Sequence, residues 1–267
     1  MASHKKILDA TEVWHIAADA MHSSEYRANY RDALEFVIRD KKLSVLDTAC
    51  GSGFPSTDLY KDGFTNLEAS DADKKSAEIL QSLFSNLKIS IPVSAGTWQE
   101  LAEKIDKKFD VVINCDNSLV YMDGWFETGT FAEGSEDVFQ RVSIVLKNFY
   151  DLLKQDGFVV IGLGKHYHPG TLEYRLPLQY SADGKGVGIE WFGSMDWEKR
   201  ENRWTVKVKG EDFEGEFLKR SYTITKEEIA ELLKKAGFAK VHIIEPDGPK
   251  DNFIVGLKSG IVGSKIN

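Results

Sequence analysis

The chain is poor in cysteine and has no long apolar run, and each shortage excludes a class of protein. No stretch reaches the roughly 18 consecutive apolar residues that a membrane-spanning helix needs. The short polar start, residues 1–6, is not followed by the apolar core of a secretory signal. The two cysteines, Cys50 and Cys115, fit free buried thiols, which are typical of a reducing compartment. We therefore expect a cytoplasmic protein with no membrane partner.

Basic residues are outnumbered by acidic ones, and they are scattered along the chain. The formal net charge is −8, and the basic residues form isolated pairs such as Lys41-Lys42 and Lys107-Lys108. A nucleic-acid-binding protein gathers its lysines and arginines on one face to neutralise phosphates. The sequence therefore predicts no nucleic-acid partner, and a small cationic substrate suits its charge balance better than a polyanion does. These features do not determine the oligomeric state, so the question of a homo-oligomer stays open.

Helical and strand-like segments alternate along most of the chain, without an internal repeat. Apolar residues at helical spacing predict two helices in residues 12–39 and single helices at residues 73–87, 142–153 and 226–236. Short apolar runs predict strands at residues 43–47, 66–70, 91–94, 109–115 and 158–163, with a closing strand pair at residues 241–244 and 253–257. This alternation indicates an α/β fold, in which a mostly parallel sheet carries helices on both faces.

Residues 164–222 break this pattern, because they are strand-like, punctuated by glycine and rich in aromatic residues. We predict an antiparallel β insertion there, which contacts the substrate or covers it as a lid. The α/β domain around it then comprises residues 41–163 and 223–267. Residues 1–40 are predicted to form a helical cap at the N-terminus.

The segment "VLDTACGSGFPS", residues 45–56, follows the first predicted strand and carries the strongest functional signal. Gly51 and Gly53 permit a tight turn and let a ligand approach the backbone closely. A dinucleotide-binding turn would place a third glycine near Ser56, and none is present there. Asp47 stands four residues before Gly51, where a carboxylate can face an ammonium group. S-adenosylmethionine carries such a group and NAD does not, so the pattern favours S-adenosylmethionine over a dinucleotide.

Three further features follow in the order that this kind of site requires. Asp71 ends the second predicted strand, where it can accept hydrogen bonds from ribose hydroxyls or, alternatively, cap the next helix. Thr97 and Trp98 follow the third predicted strand, where they can hold adenine, although Trp98 also fits a core residue. The segment from Cys115 to Tyr121 lies at the carboxyl end of the fourth strand, the edge at which ligands bind in open α/β sheets.

These motifs resemble class I S-adenosylmethionine-dependent methyltransferases, and among them the glycine N-methyltransferase-like group, which includes glycine and sarcosine methyltransferases. The likeness rests on "VLDTACGSG", "GFTNLEASDADK", "GTW", "FDVVINCDNSLVYM" and "LKNFYDLLKQDGFVVI". It covers residues 10–162, with a looser match at residues 222–241. The resemblance implies a Rossmann-like sheet with an antiparallel C-terminal strand, and S-adenosylmethionine as the cofactor of the α/β domain.

The resemblance also implies roles for individual residues. The methionine end of the cofactor would lie against Ala49, Gly51 and Gly53, the ribose against Asp71, the adenine against Thr97 and Trp98, and the sulfonium beside Cys115, Asn117, Ser118 and Tyr121. An N-terminal helix would contribute Trp14 and an arginine that binds the cofactor carboxylate, for which Arg27 is the candidate and His22 or Arg31 the alternatives.

The expected reaction is an in-line displacement of the cofactor methyl group by an acceptor nitrogen, with Tyr121, Asn117 and His166 near the acceptor. A natural-product O-methyltransferase is the nearest alternative, because His166 or His168 could then act as a base. The second alternative is a protein that binds the cofactor without catalysing a reaction. We predict no metal site, because alternation along a strand explains the His-x-His spacing.

The acceptor itself is left open by a departure from the glycine-methylating relatives. These carry an arginine directly after the fifth predicted strand, where it binds the carboxylate of the amino acid, and this chain has Gly164 at or beside that position. Lys165 could substitute only as a point charge. The aromatic run from Trp191 to Trp204 fits rings around a cationic acceptor or, more commonly for such residues, a packed antiparallel layer.

Overall fold

The computed structural model describes residues 5–123, 134–182, 185–247 and 251–259. The helices of these ranges are α1 (Ala10–Met21), α2 (Ser24–Ile38), α3 (Ser56–Lys61), α4 (Lys74–Leu87), α5 (Trp98–Lys104), α6 (Ser135–Leu152) and α7 (Lys226–Ala236). The strands are β1 (Lys6–Ile7), β2 (Val45–Asp47), β3 (Leu67–Asp71), β4 (Val93–Ala95), β5 (Phe109–Asn114), β6 (Leu153–Gly164), β7 (Glu173–Ala182), β8 (Lys185–Asp196), β9 (Glu201–Lys209), β10 (Phe213–Tyr222), β11 (Lys240–Ile244) and β12 (Asp251–Leu257).

The central sheet has seven strands in the order β11-β12-β6-β5-β2-β3-β4. The neighbours among β6, β5, β2, β3 and β4 pair in parallel. Strand β12 runs antiparallel to both β6 and β11. Side chains alternate along β5, so that Val112 packs towards α5, α6 and α7 while Val111 and Ile113 pack towards α2, α3 and α4. Both faces are therefore covered, which confirms the predicted mostly parallel sheet with an antiparallel C-terminal strand.

A second sheet of five strands, in the order β1-β10-β9-β8-β7, is antiparallel except for the pair β1 and β10. Helix α1 packs on it, and Gly215 permits this approach, because a Cβ atom there would lie 2.5 Å from Cγ2 of Val13. Trp191 and Trp204 stack at a ring-centroid distance of 4.8 Å inside this layer, as expected for packed core residues.

Some element bounds differ from the prediction. The N-terminal segment contributes strand β1, whose two residues are too few to show an alternating pattern in the sequence. Helix α6 begins at Ser135, seven residues before the predicted start at residue 142. The negative charges of Glu136 and Asp137 in its first turn interact favourably with the helix dipole, but this polar turn lacks the apolar periodicity that predicts a helix. Residues 155–157, between the predicted helix 142–153 and the predicted strand 158–163, lie within β6, where its pairing with β5 is irregular. No helix of the described ranges is long and apolar enough to span a membrane.

The topology brings several chain segments to one edge of the central sheet. The carboxyl ends of β2, β3, β4, β5 and β6 meet there because these strands run in parallel. Strand β12 runs the other way, so its first residue, Asp251, pairs with Gly164 at the end of β6. Helix α1 and the second sheet face this edge through Trp14, Tyr174 and Trp191, which line a cavity with residues of the strand ends.

Candidate active site

The turn between β2 and α3 forms the floor of a first cavity. Gly51 and Gly53 have positive φ angles of 44° and 103°, which only glycine adopts without strain. Asp47 lies fully buried beneath this turn, where its carboxylate accepts the Ala49 N–H at 3.1 Å and the Ser56 hydroxyl at 2.7 Å. Burial raises the pKa of Asp47 to about 7. This carboxylate therefore holds the turn together from below.

Asp71, at the end of β3, connects the glycine turn with the next helix. One carboxylate oxygen accepts the Gly51 N–H at 2.8 Å and the other accepts the Asp73 N–H at 2.8 Å. The N-cap of α4 is Asp73, whose side chain accepts from the backbone of Lys75 and Ser76, so Asp71 is not the cap. Burial raises the pKa of Asp71 to about 6. Each of its oxygens retains a lone pair that can accept a ligand hydroxyl.

The far end of the first cavity is formed by Thr97 and Trp98 at the start of α5. The indole Nε1 of Trp98 donates to the Thr48 carbonyl at 2.6 Å, which fixes the orientation of the ring. Trp98 is 8% exposed, and it contacts the core as well as the cavity. Trp98 is therefore a core residue that also lines the cavity, and its contact with adenine stays a prediction.

The end of β5 supplies the wall opposite the glycine turn. Asp116 and Asn117 have φ angles of 53° and 61°, a left-handed conformation that Asp and Asn tolerate better than most residues. This bend leads into a single 3₁₀ turn, Ser118–Tyr121. Asn117 Oδ1 accepts the Gly164 N–H, so the end of β6 is attached to the same wall.

Beyond this wall lies a second cavity of about 460 Å³, between the edge of the central sheet and the second sheet. Trp14, His22, Asp116 and Tyr121 border both cavities. Rings and carboxylates dominate the second cavity, including those of Tyr26, Tyr174, Trp191 and Asp251. A ligand in the first cavity and one in the second would thus meet at these four shared residues.

The structure brings most of the predicted residues together. The first cavity is lined by Trp14, Ala49, Gly51, Asp71, Thr97, Trp98 and Ser118. Of the residues predicted near the acceptor, Tyr121 lines both cavities, and Asn117 and His166 line the second. Among the described residues, no group of three or more His, Cys, Asp or Glu side chains could hold a metal ion.

Four predicted cofactor residues do not line either cavity. Asp47 and Gly53 lie beneath the glycine turn, where a Cβ atom on Gly53 would come within 2.8 Å of both Leu80 and Thr57. Cys115 faces the core between the sheet and α2, and burial raises the pKa of its thiol well above the usual value. Arg27 lies outside the cavities because its guanidinium group binds Asp58.

We expect Arg27→Ala to leave cofactor affinity within about threefold of the wild-type value. The Arg27 Nε and Nη2 atoms both lie within 3.0 Å of Asp58 Oδ2, and this half-buried ion pair adds about 1 kcal/mol to stability. Urea unfolding should therefore detect the substitution more clearly than calorimetry with S-adenosylmethionine. A loss of affinity above 100-fold would instead place Arg27 at the cofactor carboxylate.

Several lining residues were not predicted from the sequence. The first cavity also contains Cys50, Ser52, Phe54 and Ser76, of which Cys50, Ser52 and Phe54 flank the two glycines within residues 45–56 and could have been predicted from that motif. Asp116 lies inside the quoted segment at the end of β5, and His22 was one of the alternatives to Arg27. Asp251 has no local sequence signal.

Comparison with known proteins gives structural matches only. No protein-family model matches the chain, and no curated protein matches its sequence at a significant level. CalS10, an amino pentose methyltransferase from Micromonospora echinaspora involved in calicheamicin biosynthesis, superposes with a TM-score of 0.68 at 16% identity, covering 96% of this chain and 100% of CalS10. DesVI from Streptomyces venezuelae gives a TM-score of 0.70 at 14% identity, covering 94% of this chain and 99% of DesVI.

The sugar N-methyltransferase KedS8 from Streptoalloteichus sp ATCC 53650 also has a TM-score of 0.70 at 14% identity, covering 91% of this chain and 92% of KedS8. At such low identity these matches establish a shared fold. The chain has the Rossmann-like fold of S-adenosylmethionine-dependent methyltransferases, with its helices and β insertion included in the match. CalS10 and KedS8 are sugar methyltransferases, so the closer resemblance to glycine and sarcosine methyltransferases drawn from the sequence gains no support from them.

Proposed function

We propose that this protein is an S-adenosylmethionine-dependent methyltransferase that methylates an amino group of a small molecule. One observation carries the proposal: the cavity above the glycine turn borders a larger cavity lined by rings and carboxylates, and Trp14, His22, Asp116 and Tyr121 belong to both. Two reactants held on either side of this boundary can be aligned for direct transfer. Such alignment supplies a large part of the rate enhancement of a bimolecular reaction.

Three features of the first cavity fit S-adenosylmethionine. A Cβ atom on Gly51 would meet only the Trp14 Nε1 atom, at 3.9 Å, so the backbone there is open to a ligand. Asp71 presents carboxylate lone pairs suited to ribose hydroxyls. His22 lines the cavity, where an imidazole N–H can donate a hydrogen bond to the carboxylate of the methionine part. These features support the cofactor assignment.

Bound there, S-adenosylmethionine would supply an electrophilic methyl group on a positively charged sulfur. The contribution of the chain is to place the acceptor nitrogen opposite that methyl group. Burial raises the pKa of the Tyr121 phenol well above its usual value, so its hydroxyl stays protonated and orients the acceptor without acting as a base. Asn117 and His166 line the acceptor side of Tyr121.

The second cavity favours an amine over an amino acid or an alcohol. Asp116 and Asp251 present carboxylates to it, and no arginine is among its described lining residues. Gly164 stands at or beside the position where glycine-methylating enzymes carry an arginine, and Lys165, the possible substitute, is already engaged because its Nζ atom donates to the Pro246 carbonyl at 2.7 Å. Because two of the matched structures are an amino pentose methyltransferase and a sugar N-methyltransferase, an amino sugar is the first acceptor to test.

The test is a transfer assay with methyl-labelled S-adenosylmethionine and three sets of acceptors: amino sugars, their hydroxyl counterparts, and glycine with sarcosine. We expect label on the nitrogen of an amino sugar or a related amine, identified by mass spectrometry of the product. Label on oxygen would instead establish an O-methyltransferase. Cofactor binding without transfer to any acceptor would establish a binding protein.

A further inference from the structure

Two aspartates, Asp116 and Asp251, line the second cavity and come from distant segments of the chain. Asp251 begins β12 and Asp116 follows β5, and the hydroxyl of Tyr30 lies between them. This hydroxyl donates to Asp251 Oδ2 at 2.9 Å and accepts the backbone N–H of Asp116 at 3.1 Å. Gly162 leaves the space for this bridge, because a Cβ atom there would lie 2.5 Å from the Tyr30 oxygen.

The two aspartates have different neighbours. His22 Nε2 lies 2.9 Å from Asp116 Oδ2, and the Tyr26 hydroxyl donates to Asp116 Oδ1 at 3.5 Å. Lys165 and His166 line the same cavity, and the Lys165 ammonium donates to a carbonyl rather than to either aspartate. Asp251 is 1% exposed, and its carboxylate accepts the hydroxyl group of the neutral Tyr30.

Burial and the nearby charge of Asp116 raise the pKa of Asp251 to about 8, while Tyr30 and Lys165 act in the opposite direction. Cys115 is close as well, and its raised pKa keeps that thiol neutral. The neutral form of Asp251 is therefore favoured at neutral pH, and a cation brought beside it favours the ionised form.

We propose that Asp116 and Asp251 form the seat of the acceptor's amino group and bind it as an ammonium ion. The inference rests on the proposed function and adds the charge state in which the acceptor enters. A carboxylate accepts charge-assisted hydrogen bonds from an ammonium group, and the rings of Trp14 and Trp191 offer cation–π contacts beside it. A neutral alcohol supplies no positive charge to stabilise an ionised Asp251, so the seat selects amines.

The seat also determines the path of the proton that the ammonium must lose before transfer. One N–H bond breaks, its electron pair stays on nitrogen, and the proton joins a carboxylate oxygen of Asp251. The nitrogen pair then forms the bond to the methyl carbon, while the carbon–sulfur pair returns to sulfur. The methylated product leaves as an ammonium ion, and the proton on Asp251 passes to solvent.

The test uses cyclohexylamine as the probe and cyclohexanol as its neutral counterpart, in calorimetry at pH 8 in two buffers of different ionisation enthalpy. An aliphatic amine, with a pKa near the ~10.4 of lysine, is fully charged at this pH. We expect the amine to bind at least about tenfold more tightly than the alcohol. Binding should release about half a proton, because Asp251 is half protonated near its pKa of about 8.

Asp251→Asn should abolish both the proton release and the preference for the amine. Asp110→Asn is the matched control, because Asp110 is a partly buried carboxylate on β5 that binds Ser44 and Lys154. Should Asp251→Asn fail to fold, Tyr30→Phe replaces it: loss of the hydroxyl raises the pKa of Asp251 further, so proton release should continue to higher pH.

Unchanged proton release in Asp251→Asn, or equal binding of alcohol and amine by the wild-type protein, would overturn the seat. So would wild-type protein that binds neither probe. Methyl transfer to an amine could still be observed in each of these cases, and the proposed function would then stand. Conversely, selective amine binding with proton release, but without methyl transfer to any acceptor, would support the seat and refute the proposed function.

Discussion

Gly51→Ala should weaken S-adenosylmethionine binding by about 100-fold, or ~2.7 kcal/mol, and leave the protein folded. The new methyl group would point into the first cavity, since the nearest atom to it is Trp14 Nε1 at 3.9 Å. It would therefore occupy the space that a ligand needs for its approach to the backbone. The positive φ of 44° adds a strain of about 1 kcal/mol, which urea unfolding can measure separately.

Gly53→Ala is the matched control, and we expect the opposite outcome. Its Cβ atom would lie 2.8 Å from Leu80 Cδ1 and 2.8 Å from Thr57 Oγ1, both beneath the turn. Overpacking and the φ of 103° together should lower the free energy of unfolding by about 2–4 kcal/mol. The folded fraction should bind the cofactor within a few-fold of wild type. If the two variants exchanged these phenotypes, the cavity would lie on the other side of the turn.

The contrast between these glycines shows what the sequence could and could not predict. A G-x-G spacing after a strand indicates a tight turn, because positive φ angles are a local property of glycine. It does not show which glycine faces a ligand, since that depends on the helix packed beneath the turn. From the sequence, Gly53 was expected to contact the cofactor, and the structure places it against Leu80 and Thr57.

The secondary structure was predicted well wherever one element carries a complete local signal. Lys226–Ala236 has apolar periodicity, a capping box at Thr225 and a left-handed Gly237 at its end, and the predicted helix has the same bounds. Strand β5 contains the apolar run Val111-Val112-Ile113, as a strand buried on both faces requires. The two residues of β1 carry no such signal, because they are held by pairing with β10.

Residues of the candidate site that come from distant segments were harder to predict. Asp251 reaches the site because β12 runs antiparallel to β6, so the beginning of one strand meets the end of the other. No spacing within the sequence indicates that pairing. Asp47 and Cys115 were placed correctly at strand ends, but a strand end offers two faces, and both side chains turn away from the cavities. Sequence spacing alone could not decide between the faces.

Asp71→Asn should weaken S-adenosylmethionine binding by about 10- to 100-fold at pH 8 and remove its dependence on pH. In the wild-type protein, burial raises the pKa of Asp71 to about 6, so the group is ionised above this pH and neutral below it. The ionised form is the better acceptor for ribose hydroxyls. Wild-type affinity should therefore fall as the pH decreases through about 6 and level off above it, as calorimetry between pH 5 and pH 8 can show.

Asp73→Asn controls for the loss of a neighbouring carboxylate. Asp73 is the N-cap of α4, and asparagine serves nearly as well in that position, so both the affinity and its pH dependence should remain. The comparison separates a ligand contact from a structural one, because Asp71 also accepts the Gly51 N–H and an asparagine oxygen can keep that bond. If Asp71→Asn bound the cofactor as tightly as wild type, the carboxylate would serve only to hold the glycine turn. A pH dependence that persisted in this variant would have to come from another group at the boundary, and His22 is the first to replace.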